Sequence, residues 1–518
     1  MKIKNFKFST KEIALVAVLF FLAAFFRFYN LNELPVFVDE AIYVRWAQVM
    51  RVETTLRFLP LSDGKQPLFM WVVIPFMKVI NDPLIAGRAV SALSGLLTLS
   101  GVFVAGYLLF NSKKISILAG LIYVLSPYAV FFDRMALVDS MLTMFGIWFF
   151  IFMIIAIRKI RLDFAMLAGF ALGGALLTKS PALYFVLLLP TTILVADITK
   201  KNYKVKFIKI LLLWMTALII GYVMFNILRL GPNFHMLSAR NFDYVHPFSH
   251  IFSNPLDPFI PHLKAYVEYL WILGPASFIL LFIGGFVVGL KTKMRETILL
   301  VLWVLIPLVS MLVYSKVLTA RYLLFILPYL VLVSSELLLN KKKVVNSITY
   351  VLIGIFVIQS CYINMRFITK IETAPLPQGE RSGYLEEWSA GGGIKESADI
   401  LIDKSMTSDK PIVVGTEGYF GTLPDGLQIY LNSYSQINVF GIGLNLNEVP
   451  QSLVDSFNSG NETYLLINST RILIKNPEDF GLELVAEFPK PVRMVGSTNY
   501  EKFGPYESLY LFKLVGEK

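Results

Sequence analysis

Gln66-Pro67-Leu68-Phe69-Met70-Trp71-Val72-Val73-Ile74-Pro75-Phe76-Met77-Lys78-Val79-Ile80 is apolar enough to resemble a membrane span and too short to be one. Between Lys65 and Asp82 there is room for a helix of roughly 15 residues, about 22 Å at ~1.5 Å per residue. The hydrocarbon core it would have to cross is about 30 Å thick. Counting it as a span would also invert every later loop and send the downstream lysine clusters outside, against the positive-inside rule. The segment is therefore expected to be an interfacial or re-entrant helix.

The rest of the chain leaves little choice of class. Its 518 residues are 56% hydrophobic and 16% charged, with a mean hydropathy of +0.64. Soluble domains carry about 45–50% apolar and about 25% charged residues, so this is an integral membrane protein. Spans are expected near 12–29, 84–110, 115–132, 137–157, 163–178, 181–197, 208–229, 265–290, 297–314, 321–339 and 345–364. Ile13 to Phe26 reads as a first anchor rather than a cleavable signal, since it lacks a small-residue cleavage site. Basic clusters lie between alternate pairs of spans: Lys2, Lys4, Lys7 and Lys11; Lys113 and Lys114; Arg158, Lys159 and Arg161; Lys200 to Lys209; Lys291, Lys293 and Arg295; and Lys341 to Lys343. Placed in the cytoplasm, they account for much of the net charge of +11. That charge is then topological, and nucleic acid is not expected as a partner. Eleven spans put the N-terminus in the cytoplasm and the C-terminus outside. The single cysteine, Cys361, excludes an internal disulfide and a cysteine-based metal cluster.

After about Arg366 the composition changes. A helix-like run at Ile394 to Lys404 alternates with strand-like runs at Pro411 to Thr416, Ile437 to Phe440, Glu462 to Ile467 and Leu509 to Leu514. This pattern argues a small α/β domain. The expected organisation is a polytopic α-helical membrane domain over 1–368 and an extracytoplasmic α/β domain over 369–518. Asn461-Glu462-Thr463 and Asn468-Ser469-Thr470 fit the glycosylation acceptor pattern.

The expected outer face collects the chemistry. Val38-Asp39-Glu40-Ala41-Ile42-Tyr43 follows the first span, and Ile42, Trp46, Val49 and Met50 then recur at helical spacing, as an interfacial helix would require. Asp39 at its start is either an N-cap or a general base for an acceptor hydroxyl. Lys65, at the opening of the short apolar helix, is either a snorkelling lysine or a phosphate ligand. Arg88 and Arg321 each begin a span, where an arginine usually faces a polar cavity. Asp133 and Arg134 fit mutual neutralisation, and Asp139 fits a cap at a helix start. Lys179, in Thr178-Lys179-Ser180-Pro181, fits a phosphate ligand or an interfacial charge. The loop from Gly231 to Lys264 holds His235, His246, His250 and His262 with Arg240, Asp243 and Asp257. Its histidines lack the zincin spacing, which favours substrate recognition over a metal site. Gly391-Gly392-Gly393 fits an anion cradle or a flexible hinge.

Taken in order, these motifs resemble the GT-C superfamily of polyprenyl-phosphate-dependent glycosyltransferases, in its protein O-mannosyltransferase and aminoarabinose-transferase branch. The resemblance covers roughly residues 10–340 and rests on Asp39-Glu40, Lys65-Gln66-Pro67-Leu68, Gly87-Arg88, Arg134 with Asp139, Leu177-Thr178-Lys179-Ser180-Pro181 and Arg321-Tyr322. Gln66 and Ser180 depart from the family's usual Lys-Pro-Pro-Leu and Thr-Lys-Gly-Pro. The resemblance implies an inverting transferase with Asp39 as base, accompanied by Glu40 and Asp139. It implies donor-phosphate binding by Lys65, Arg88, Lys179, Arg321 and Tyr322, and substrate contacts from Tyr43, Arg134 and Arg240. The donor would be a polyprenyl-phosphate sugar, and the acceptor a protein, lipid or glycan. A divalent metal is left open, with Asp39, Glu40 or Asp139 as its ligands; no nucleotide loop is visible. Rival readings are a lipid-linked sugar flippase, which would favour mid-membrane charges and repeat symmetry, and a ligase of the same superfamily using a lipid diphosphate.

Overall fold

A computed structural model describes residues 9–197 and 203–516. Lys2, Lys4, Lys7 and the first residues of the Lys200 to Lys209 cluster lie outside the described residues. Among those described, eight helices are long and apolar enough to cross a membrane: Thr10–Glu33, Pro83–Phe110, Val138–Lys159, Tyr203–Leu230, Pro275–Thr292, Met294–Tyr314, Ala320–Leu339 and Lys343–Thr369. A ninth is the pair Lys113–Leu125 and Pro127–Asp133, bent by 57°, where Pro127 cannot continue the preceding hydrogen-bond ladder. Two shorter apolar helices, Leu162–Thr178 and Ser180–Val195, match the remaining expected spans. One expected boundary is corrected. The run 265–290 is two helices, Phe259–Ile272 and Pro275–Thr292, split at Gly274-Pro275.

The stretch 66–80 contains a helix of nine residues, Leu68–Phe76. At ~1.5 Å per residue it covers about 13 Å, far less than a bilayer core. Pro67 stands just before it and Pro75 lies inside it, so proline limits it at both ends.

The chain forms two compact units. Unit 1 comprises Met1–Leu31, Thr55–Val72 and Arg88–Lys370. Its core is aromatic: Trp303 is fully buried, with the Phe150 ring 4.8 Å away edge-on and the Tyr329 ring at 5.2 Å. The Trp303 indole N–H donates to Thr191 Oγ1 at 3.0 Å, which satisfies its polar atom. Near the N-terminal helix, Arg27 Nε donates to Asp133 Oδ2 at 2.8 Å, both side chains being buried. A Cβ at Gly95 would lie 2.2 Å from that carboxylate oxygen. Glycine thus lets the Pro83–Phe110 helix approach the ion pair. The expected neutralisation of Asp133 by Arg134 is therefore corrected, since Asp133 pairs with Arg27.

Unit 2 comprises Asn32–Thr54, Val73–Gly87 and Ile371–Lys518. Its five-stranded sheet has the order β2-β1-β3-β5-β4, with β1 Ile412–Glu417, β2 Ile437–Gly443, β3 Glu462–Asn468, β4 Leu482–Pro489 and β5 Ser508–Leu514. β2, β1 and β3 are parallel, while β5 runs antiparallel to both β3 and β4. The helices Asp425–Leu431 and Gln451–Asn458 lie in the parallel crossovers. Leu453, Leu465, Ile467, Leu482, Phe512 and Leu514 form the core of one face. Four strands coincide with expected runs. β4 escaped the sequence reading because it is an edge strand in which Glu483, Leu484 and Val485 are all exposed and the register shifts between Leu484 and Ala486, so no clean alternation marks it.

The helix Val38–Val52 belongs to unit 2. Its apolar stripe was expected to lie on a membrane surface. Instead Ile42, Trp46 and Met50 are buried. Trp46 packs 5.7 Å from the Phe420 ring, and Gln48 Nε2 donates to the Ile429 carbonyl at 2.8 Å. Two of the three glycines are required by the local backbone. Gly391 N donates to the Val36 carbonyl at 2.7 Å, and a Cβ on Gly391 would sit 2.4 Å from Val36. Gly393 has φ +89°, a left-handed conformation that glycine adopts without strain.

Candidate active site

In unit 1 the site begins at two helix ends. The helix Val138–Lys159 carries Asp139 in its first turn, where it is buried. The helix Leu162–Thr178 ends at Lys179, whose backbone is extended. Lys179 Nζ meets Asp139 Oδ1 at 2.6 Å, with the lysine about one-fifth exposed. The same Nζ stands 4.3 Å from the centre of the Tyr322 ring, and the Arg321 guanidinium lies 5.3 Å from it. Cations near an aromatic face are attracted by its quadrupole. Four expected residues from three distant segments thus converge. The second oxygen of Asp139, Oδ2, is buried and has no hydrogen-bond partner among the described residues. A buried acceptor without a donor is costly, of the order of 1–3 kcal/mol, and a substrate hydroxyl would relieve that cost.

A second cluster surrounds Asp63, which sequence reasoning missed. Its Oδ2 lies 3.1 Å from Lys65 Nζ and its Oδ1 lies 2.8 Å from Arg240. Arg240 also reaches Asp243 at 2.6 Å. Asp63-Gly64 is a turn dipeptide, and Gly64 takes φ +67°, with the Arg240 side chain 2.7 Å from where its Cβ would be. That turn signal was the available clue. Gln66 Nε2 donates to Ser180 Oγ at 2.9 Å, bringing the Lys65 segment beside the Lys179 turn.

Two other expected ligands have different surroundings. Arg88 is fully buried and donates to the Leu31 carbonyl. Arg134 donates to the carbonyls of Phe26 at 2.9 Å, Tyr29 at 2.7 Å and Asn30 at 2.7 Å. It caps the end of the first helix, where carbonyls lack intrahelical donors and a cation is favoured.

Asp39, Glu40 and Tyr43 are carried by unit 2. The N-cap of their helix is Phe37, which leaves Asp39 at the second helical position. The capping bond comes from Glu40, whose Oε2 accepts from the Phe37 N–H at 3.0 Å. The N-cap reading of Asp39 is thereby corrected: a neighbour does the capping. Asp39 is half-buried, whereas Glu40 and Tyr43 are buried. Among the described residues no three His, Cys, Asp or Glu side chains gather as a metal site.

The Asn468 acceptor motif is closed off. Asn468 is buried, its N–H and Nδ2 each donating to Glu417 at 2.8 Å, while its Oδ1 accepts from Lys490 at 2.6 Å. The histidine loop brings His246 and His250 into a stack 4.0 Å apart, with His250 Nε2 2.8 Å from the Asp257 carbonyl.

Comparison with known proteins gives a consistent frame. Residues 64–225 match the family described as dolichyl-phosphate-mannose-protein mannosyltransferase. No curated protein matches in sequence. The fold is similar to that of ArnT from Cupriavidus metallidurans in the apo state, with a TM-score of 0.57 at 13% identity, over 98% of this chain and 97% of that one. ArnT from the same organism bound to undecaprenyl phosphate gives 0.55 at 15% identity, over 97% and 98% of the two chains. Arabinofuranosyltransferase AftD from Mycobacteria gives 0.50 at 14% identity, over 99% of this chain and 42% of that one. The chain thus shares the fold of ArnT along nearly its whole length, and its segment 64–225, which includes Lys65, Asp139 and Lys179, is similar to the dolichyl-phosphate-mannose-protein mannosyltransferase family.

Proposed function

We propose that this protein is an inverting glycosyltransferase that moves a sugar from a polyprenyl-phosphate donor to an acceptor hydroxyl at the outer face of a membrane. The observation that carries this reading is the convergence of Asp139, Lys179, Arg321 and Tyr322, with one carboxylate oxygen of Asp139 unsatisfied. As the bond between the anomeric carbon and the phosphate oxygen breaks, negative charge grows on the departing polyprenyl phosphate. Preorganised cations stabilise that charge where it develops. Lys179 and Arg321, with Lys65 and Arg240 on Asp63, are the groups we assign to this task. Asp139 Oδ2 accepts a hydrogen bond from a sugar or acceptor hydroxyl. Asp39 takes the proton from the attacking hydroxyl, and attack opposite the leaving phosphate inverts the anomeric centre. A positioned base of this kind contributes ~10²–10⁴-fold.

The membrane protein of multiple spans is oriented by its lysines. We infer a cytoplasmic N-terminus and an extracytoplasmic C-terminal α/β domain. The acceptor is a protein, lipid or glycan bearing a free hydroxyl.

The test uses purified protein in detergent with a polyprenyl-phosphate sugar and a panel of acceptors, following release of polyprenyl phosphate. Turnover without a second membrane leaflet is expected, which a flippase would not give. Asp39→Asn should lower turnover by about 10²-fold or more while leaving the thermal unfolding profile in place. Near wild-type turnover in that variant would remove Asp39 as the base.

A further inference from the structure

The sequence contains two short motifs of the same form, Lys65-Gln66-Pro67 and Lys179-Ser180-Pro181. In the fold their middle residues meet: Gln66 is buried, and its side-chain amide donates to Ser180 Oγ at 2.9 Å. Each flanking lysine is held by its own aspartate, Lys65 by Asp63 at 3.1 Å and Lys179 by Asp139 at 2.6 Å. Pro67 stands just before the helix Leu68–Phe76, and Pro181 lies within the short turn Ser180–Ala182. The two Lys-Asp pairs come from loops more than 100 residues apart, as the sequence separation of 114 between Gln66 and Ser180 shows.

We infer that Gln66 and Ser180 form a clasp that fixes the spacing of Lys65 and Lys179, making both residues positioning residues for the donor phosphate. The inference rests on the proposed function and deepens it. Lysine heads on flexible four-carbon stems lose rotamer freedom when they engage an anion. A side-chain clasp between the residues that follow them settles part of that ordering before the donor arrives. Neither Gln66 nor Ser180 carries charge, so neither stabilises the leaving phosphate directly. Their contribution belongs to donor binding in the ground state and transition state alike, which moves KM rather than kcat.

The experiment is a double-mutant cycle on the full-length protein in detergent, with Gln66→Ala, Ser180→Ala and the double variant. The readouts are donor KM, kcat and direct binding of polyprenyl phosphate. Each single variant should raise donor KM about five- to tenfold, the range that loss of one buried hydrogen bond permits. The double variant should be no worse than either single one, since both remove the same bond. Ser180→Thr, which keeps the hydroxyl, should restore donor KM to near the wild-type value. Multiplicative single effects, or an unchanged KM and an unchanged polyprenyl-phosphate affinity in active variants, would overturn the clasp. Loss of thermal stability with kcat and KM falling together would mark a purely structural contact and also overturn it. If the wild-type protein neither turns over the donor nor binds polyprenyl phosphate, the proposed function fails first, which separates the two results.

Discussion

Arg493 in unit 2 and Lys179 in unit 1 both pair with buried or largely buried carboxylates, yet the two systems are built to opposite ends. Arg493 is fully buried and spends its guanidinium on Glu387 at 2.9 Å, on Glu507, and on the carbonyls of Gly504 at 3.1 Å and Tyr506 at 2.7 Å. Glu507 in turn accepts from Ser469 at 3.0 Å and from the Thr470 backbone and hydroxyl at 2.9 Å. Beside it Lys490 donates to the Glu387 carbonyl at 3.0 Å and to Asn468 at 2.6 Å. Burial pushes the Lys490 amine down from the ordinary lysine value, although three glutamates around it oppose this. Lys179 is partly open, and the aspartate it pairs with keeps one oxygen without a hydrogen-bond partner among the described residues. A saturated network holds a fold together; an unsaturated one holds a place for something else.

The largest expected effect sharpens the open side of this contrast. Asp139→Asn should cut transfer by about 10²-fold or more, in the range seen when a preorganised polar group is lost from a reacting centre. The protein should still unfold at a similar temperature in a thermal-shift assay. An intact rate with lowered stability would place Asp139 among the saturated, structural pairs. On the closed side, Arg493→Met leaves Glu387 and Glu507 buried with fewer donors. It should destabilise unit 2 by about 3–5 kcal/mol, read from denaturant unfolding followed by tryptophan fluorescence. A neutral result would mean the network is replaceable by apolar packing.

The same division predicts opposite behaviour for two arginines of unit 1. Arg321→Ala should raise donor KM by about tenfold, roughly one strong charge-assisted contact. Arg134→Ala should instead lower stability by about 1–3 kcal/mol through the carbonyls it leaves behind, with donor KM unchanged. Swapped phenotypes would break the comparison. The smallest effect concerns Glu462 at the start of β3. The Ser408 hydroxyl, and after it Lys513 at 3.1 Å and the Tyr464 hydroxyl at 2.9 Å, hold its carboxyl below the usual glutamate range. A folded-state value below the unfolded one gives stability that is present above the ordinary glutamate value. It is lost as pH falls through the depressed value. Thermal unfolding of Glu462→Gln should therefore show a shallower acid decline than the wild type; parallel curves would assign the decline to other groups.

Of the candidate site, the residue types were legible and the pairings were not. Lys179 and Asp139 stood out as charges at helix ends, but nothing near either one in sequence indicates that they meet, or that Tyr322 lies beside them. For Arg134 the residues suggested neutralisation of Asp133, and the family resemblance implied a substrate contact. Its role as a cap depends on where the first helix ends, more than 100 residues earlier. Asp63 was passed over because an aspartate in a turn is commonplace, and only its placement between Lys65 and Arg240 gives it weight. Asp39 and Glu40 were separable only once Phe37 was known to begin the helix.

By itself, the order of residues determined the membrane class, the positions of nearly all the apolar helices, the presence of a short helix within 66–80 and the α/β character of the end of the chain. These follow from hydropathy, from periods of two and 3.6 residues, and from proline and glycine, all of which act over a few residues. The tertiary structure alone decided that Val38–Val52 buries its stripe against the Asp425–Leu431 helix rather than facing lipid, that β4 joins the sheet, and that Asp133 answers Arg27. It likewise decided that the two Lys-X-Pro motifs meet through Gln66 and Ser180. Such contacts join residues far apart in the chain, and their energies depend on distance and burial, quantities that no local pattern carries.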